Sequence, residues 1–136
     1  MNYQKLEIYT DGGARGNPGP AGIGVVIWHG NELVGAHAKY IGEATNNQAE
    51  YQAVLFALQQ AKGLGAEQVD VYTDSELISS QLNREFKIKD PSLGSLFVKC
   101  WNLMIGFKKV KFHHIRREKN TQADKLVNKA IDERNY

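Results

Sequence analysis

Two acids in this chain close the same tripeptide, Tyr9-Thr10-Asp11 followed by two glycines, and Tyr72-Thr73-Asp74. Each tripeptide ends a run of β-forming residues, which places Asp11 and Asp74 at the carboxyl ends of strands. Glu50 heads an apolar stripe (Ala53, Val54, Ala57, Leu58, Ala61) at helical spacing, where an apolar residue would complete the core face. Asp124 falls in the first turn of the last periodic segment, one position off its stripe. Singly, each has an ordinary explanation: Asp11 as a turn residue, Asp74 as a helix cap, Glu50 and Asp124 as acids near helix amino ends. Four carboxylates brought within a few ångströms would repel by roughly 4 kcal/mol per close pair at an effective dielectric of about 20, and so require a cation. An all-oxygen ligand set without His or Cys favours Mg²⁺ or Mn²⁺ over zinc. Carboxylate clusters that hold two such ions about 3.5–4 Å apart suit phosphodiester displacement.

The elements that must position these acids follow from hydrophobic period. Leu6, Ile8 and Thr10 alternate with Glu7, Tyr9 and Asp11; "AGIGVVIW" and "ELVGAHAKYI" give two more strands, and short connections make the three an antiparallel meander. Thr45 and Gln48 form a capping box for the helix that carries Glu50, and "GLG" ends it. "EQVDVYTD" is a fourth strand, followed by a short helix in "SELISSQL", a basic link in "NREFKIKDP", and a helix marked by Leu93, Leu96, Phe97, Cys100, Trp101 and Met104. "KKVKFHHI" is a fifth strand, and Ala123, Leu126, Val127, Ala130 and Ile131 mark a last helix begun by Asn120. The order βββαβααβα predicts an α/β fold, a mixed sheet with helices on its faces, whose crossovers bring Asp11 and Asp74 to one edge.

A chain of 136 residues is read as one domain over 1–136, with enough apolar content (42%) to bury a core. No apolar run spans a bilayer and no signal segment opens the chain, so a cytoplasmic protein without membrane contact is expected, working as a monomer. The single Cys100 is assigned to the core. Residues 1–83 carry four Lys/Arg against nine Asp/Glu, and residues 84–136 carry thirteen against six. That polarity suits a polyanion binder, although a solvated lysine-rich face gives the same bias.

The blocks "YTDGGARGNPGPAGIGVVI", "TNNQAEYQAVLFAL", "VYTDSELI" and "REKNTQADKLVNKA", in this order and spacing, resemble type 1 ribonuclease H over nearly the whole chain. The resemblance implies a five-stranded mixed sheet, three strands antiparallel and two parallel, flanked by helices. It implies hydrolysis of the RNA strand of an RNA/DNA hybrid to 5′-phosphate and 3′-hydroxyl ends. Asp11, Glu50, Asp74 and Asp124 match the family's metal-binding catalytic acids, for two Mg²⁺ ions with Mn²⁺ as a substitute. Asp11 would bridge the two, with Asp74 and Asp124 on the water-activating side and Glu50 on the leaving-oxygen side. Asn17, Asn46 and Asn47 match positions that touch the hybrid's groove, Thr45 matches a phosphate contact, and Gly12 and Gly13 let main chain approach the substrate. For Asn46 and Asn47, helix-entry chemistry is the competing explanation. The glycine-rich loop is not a P-loop, since it lacks Gly-Lys-Ser/Thr and leads into a strand.

Two features depart from the family pattern. Arg117 stands among the catalytic positions where many members carry a loop histidine; arginine stays protonated and so supplies no acid-base exchange. His113 and His114, in a strand, are read as structural or surface residues. The connection before Pro91 leaves no room for the basic protrusion some members use, and Lys87, Lys89, Lys108, Lys109 and Lys111 are read as its partial replacement. Salt-sensitive binding follows. These departures motivate one alternative, a non-catalytic nucleic-acid-binding module on the same scaffold; a third reading, a protein-interaction domain using the sheet edge, predicts no salt-sensitive hybrid binding.

Overall fold

A computed structural model describes residues 3–83 and 90–134. Five strands, β1 (Lys5–Ala14), β2 (Gly19–His29), β3 (Glu32–Ala44), β4 (Gln68–Thr73) and β5 (Lys109–His114), form one sheet in the order β3-β2-β1-β4-β5. β1 to β3 are antiparallel, and β4 and β5 join parallel to β1. Among the described residues four helices accompany them: α1 (Asn46–Gly63), α2 (Glu76–Leu82), α3 (Pro91–Met104) and α4 (Thr121–Glu133). The mixed five-stranded sheet expected from the sequence is present. A 3-10 turn, Arg117–Lys119, precedes α4, an element that the hydrophobic period does not mark. The basic link that carries Lys87 and Lys89 lies outside the described residues.

α1 begins as its sequence dictates: the Thr45 side chain accepts from the Gln48 amide at 3.1 Å, and the Gln48 side chain accepts from the Thr45 amide at 2.9 Å. Its stripe, with Tyr51, Val54, Ala57, Leu58 and Ala61, packs on Leu6, Ile8, Val25, Ile27, Val69 and Val71 of the sheet, and Leu93, Leu96 and Cys100 of α3 close the same core. Cys100 is fully buried, as assigned.

α4 covers the opposite face. It comes so close to β2 that a Cβ on Gly24 would lie 2.1 Å from the Ala123 carbonyl oxygen, and one on Gly22 would lie 3.0 Å from the Ala130 Cβ. The alternating glycines of "AGIGVV" are thus the seat of the last helix. Beyond α4 this face is lined in register by Lys5–Gln68–Lys109, Glu7–Asp70–Lys111 and Tyr9–Tyr72–His113 across β1, β4 and β5.

One expectation needs correction. β1 does not stop at Asp11: it continues through Gly12 and Gly13 to Ala14, paired with β2 down to Ala14↔Ala21. What ends there is the pairing with β4, whose last partners are Thr10 and Thr73. The strands diverge at the point where sheet order switches, and the acids sit in the opening.

Candidate active site

Asp11, on β1, and Asp74, directly after β4, follow the last paired residues of two adjacent parallel strands. Glu50 reaches them from the second turn of α1. Carboxylate oxygens of Asp11, Glu50 and Asp74 lie within 4.8 Å of one another. Asp124 of α4 lines the same cavity of about 370 Å³, as do Gly12, Gly13, Asn46, Asn47 and Arg117. All four acids singled out in the sequence therefore meet at one cavity, three of them in the tight group and Asp124 at its wall.

Glu50 is held from two sides. The Gly12 amide donates to Oε1 at 2.6 Å, and Thr73 Oγ1 donates to Oε2 at 3.3 Å. Gly12 approaches so closely that a Cβ there would lie 2.2 Å from the Ala49 carbonyl carbon and oxygen. The glycine is required by contact with α1. Thr73 Oγ1 also accepts from the Ser75 amide at 3.0 Å, which ties the carboxylate to the entry of α2.

Asp124 is placed through Asn120. The Asn120 carbonyl accepts from the Asp124 amide at 3.1 Å, while Asn120 Nδ2 donates to the Thr10 carbonyl at 2.9 Å. Asn120 does begin α4, but its side chain makes no capping bond and spans instead to the strand residue before Asp11. The loop between β1 and β2 is secured to α1 in the same manner: Asn46 Oδ1 accepts from the Ala14 amide at 2.8 Å, and the Asn46 amide donates to Asn17 Oδ1 at 3.0 Å. Asn17 and Asn46 thus serve helix entry and loop closure, and Asn47 is exposed at the cavity rim. The roles of Thr73 and Asn120 in holding the site carry no sequence signal because their partners are distant: 23 residues away for Thr73 and 110 for Asn120.

Burial of like charges costs energy that only a cation or a proton can relieve. Asp11 is 7% exposed and Glu50 8%. Burial raises the Asp11 pKa, a hydrogen bond from Glu50 opposes this, and the Asp74 and Asp124 charges add to the rise, leaving it at about 7. Glu50 is raised well above the usual carboxylate range, first by burial and then by the Asp11 charge, despite the Gly12 amide. Without a cation, burial and mutual repulsion favour a shared proton on the pair. Donors that are all carboxylate oxygens, buried together and mutually repelling, fit a hard divalent ion.

Residues 9–130 match the family described as reverse transcriptase-like. The chain is 40% identical over 130 residues to the bifunctional protein Rv2228c of Mycobacterium tuberculosis, covering 94% of this chain and 36% of that one. It is 38% identical to ribonuclease HI of Halobacterium salinarum, covering 95% and 65%. The chain thus spans between about a third and two thirds of the length of these relatives. The crystal structure of LC11-RNase H1 in complex with RNA/DNA hybrid superposes with a TM-score of 0.91 at 46% identity, covering 95% of this chain and 98% of that one. On sequence and architecture together, the chain belongs to the ribonuclease H family.

Proposed function

We propose that this chain is a divalent-metal-dependent endoribonuclease that hydrolyses the RNA strand of RNA/DNA hybrids, leaving 5′-phosphate and 3′-hydroxyl ends. The observation that carries the reading is the convergence of Asp11, Glu50 and Asp74 within 4.8 Å, with Asp124 on the same cavity. A relative of 46% identity whose structure holds an RNA/DNA hybrid supplies the substrate class. Asp11, Glu50, Asp74 and Asp124 would hold the metal, with Mg²⁺ as the working ion and Mn²⁺ as a substitute. Bound ions supply activation of the attacking water and charge stabilisation at the leaving oxygen.

The chain's own residues keep the acids in place for this. The Gly12 amide and Thr73 hydroxyl fix both oxygens of Glu50, and Asn120 holds the turn of α4 that carries Asp124 against the backbone of β1. Arg117 brings a permanent positive charge to the cavity wall, where negative charge accumulates on a phosphodiester in reaction. Gly13, Asn46 and Asn47 line the acid cavity, and Asn17, bonded to the Asn46 amide, and Thr45, the cap of α1, continue from them the surface on which the hybrid's backbone and 2′-hydroxyls would lie. The reading extends to residues 1–136 acting as one domain, monomeric and cytoplasmic; none of the described helices is long and apolar enough to cross a membrane.

The test is incubation of labelled RNA/DNA, RNA/RNA and single-stranded RNA with the protein and each divalent ion. Metal-dependent cleavage confined to the RNA of the hybrid supports the reading. Hybrid binding without scission across metals and pH would establish the binding-module alternative instead.

A further inference from the structure

The acid cavity runs between α1, which carries Glu50, and α4, which carries Asp124; Ala14 and Arg15, where β1 passes into the loop toward β2, line it too. This loop is tied to both helices. Toward α1 the ties run through Asn46, which bonds the Ala14 amide and Asn17 Oδ1. Toward α4 they run through Arg15. Its Nη1 donates to Asp132 Oδ1 at 2.5 Å, and its Nη2 donates to Asn128 Oδ1 at 3.4 Å. Asn128 in turn donates from Nδ2 to the Asp124 carbonyl at 3.2 Å. Asp124, Asn128 and Asp132 stand at i, i+4 and i+8, so Arg15 grips the same stripe of α4 that carries the acid.

Of the two partners, α4 has the firmer seat. A Cβ on Gly22 would lie 3.1 Å from the Val127 carbonyl oxygen and from Ile131 Cγ1, and Ala123, Val127, Ala130 and Ile131 are buried. The loop has no such footing: residues 15–18 are all exposed, and few apolar contacts hold a segment of that kind. What the Arg15 side chain fixes is therefore the loop. Its own backbone is braced, since the Arg15 amide donates to the Pro20 carbonyl at 2.8 Å and a Cβ on Gly19 would lie 2.2 Å from the Arg15 carbonyl oxygen. An arginine fork can satisfy two acceptors at once, which a lysine ammonium on a flexible stem does not. The bond from Arg15 holds the Asp132 carboxyl below its ordinary value. With the two side chains 48% and 62% exposed, the pair adds little to overall stability. Its effect is local.

We propose that Arg15 is a positioning residue for the hybrid: by strapping the β1–β2 loop to Asn128 and Asp132 of α4, it holds Asn17 and the loop backbone beside the start of α1 before substrate arrives. The role presupposes the hydrolytic function proposed above. Ordering an exposed loop during binding costs affinity, and a loop ordered in advance spares that cost. Arg15 bonds none of the four acid side chains. The strap therefore favours bound substrate and transition state alike, and KM rather than kcat carries its effect.

The experiment measures kcat and KM on a labelled RNA/DNA hybrid, the Kd of a cleavage-resistant hybrid with Mg²⁺ against ionic strength, and amide order parameters of the free protein. The full chain is compared with Arg15→Ala, Arg15→Lys, Asp132→Ala and the double variant Arg15→Ala/Asp132→Ala. Arg15→Ala should raise KM and Kd about threefold to tenfold with kcat nearly unchanged, and should lower the order parameters of Gly16 and Asn17. Each variant should melt close to the parent. Arg15→Lys should recover little of the loss. In Asp132→Ala a negative charge is removed, which by itself favours a polyanion, yet the loosened strap should weaken binding. The double variant should bind no more weakly than Arg15→Ala. Tighter binding in Asp132→Ala, or a salt slope lower by about one in Arg15→Ala, would make Arg15 a direct phosphate contact and overturn the proposal. Unchanged KM and order parameters in Arg15→Ala, or a loss confined to kcat, would overturn it too. If the parent binds the hybrid without cutting it, the hydrolytic function falls while Kd and the order parameters still decide the strap; a parent that binds no hybrid overturns both.

Discussion

The Gly12 amide donates to Glu50 Oε1 at 2.6 Å, across a contact so close that the Ala49 backbone occupies the space of any Cβ at position 12. Strand and helix are thus joined where the acids meet. Gly12→Ala forces α1 outward or unpairs Glu50. The expected cost is about 2–3 kcal/mol in urea unfolding, in the range of overpacking at a rigid contact, together with weakened Mn²⁺ binding. Unchanged stability and metal affinity would show that the contact is not needed.

Asp11 makes the metal-free protein sensitive to pH in a defined direction. Its pKa rises from 3.8 to about 7 on folding, chiefly through burial. Between those values the folded state holds the extra proton, so stability in EDTA falls as pH climbs through the window. Asp11→Asn removes this penalty: at pH 8 in EDTA the variant should be more stable than the parent by on the order of 2–4 kcal/mol, the difference closing below pH 4. The same variant should lose metal-dependent hybrid cleavage. Thermal unfolding across pH and the cleavage assay check both halves.

On the open sheet face, Asp70 behaves in the opposite sense. Burial by itself raises its pKa, but bonds to His113 at 2.8 Å and Lys5 at 3.4 Å outweigh that and leave it lowered. The stabilisation is fully present above 3.8 and is lost as pH falls through the lowered folded value. Asp70→Asn should cost roughly 1 kcal/mol at pH 7, and the cost should shrink as pH drops below the ordinary carboxylate range. Paired acid and neutral melts measure it.

Arg117 lines the acid cavity and offers it guanidinium N–H donors and a positive charge. Arg117→Ala should lower turnover on a hybrid by about a hundredfold to a thousandfold, the scale of one lost transition-state donor. The shape of the pH–rate profile between about pH 6 and 9 should stay unchanged, because arginine does not titrate there. A profile that loses a limb in the variant would assign Arg117 a different role.

Much of the site was legible because its signals are local. The repeated "YTD", the misplaced charge of Glu50 and the Thr45/Gln48 box each depend on a few neighbouring residues, and the structure brings Asp11, Glu50 and Asp74 together as those signals required. What misled was "DGGA": two glycines after an acid look like a turn, yet Gly12 and Gly13 continue β1 against Ile23 and Gly22. Their small size serves helix contact, a tertiary demand with no local mark. Asn120 reads as an ordinary helix start, and only the return of the chain to Thr10 gives its side chain a different partner. The column of Tyr9, Tyr72 and His113 likewise depends on the register of three strands far apart in sequence.

The most direct test of the carboxylate centre is anomalous diffraction from crystals of the protein grown with Mn²⁺ and a hybrid that resists cleavage. The expected result is Mn²⁺ density bounded by oxygens of Asp11, Glu50, Asp74 and Asp124. Density elsewhere, with those four side chains free of metal, would contradict it.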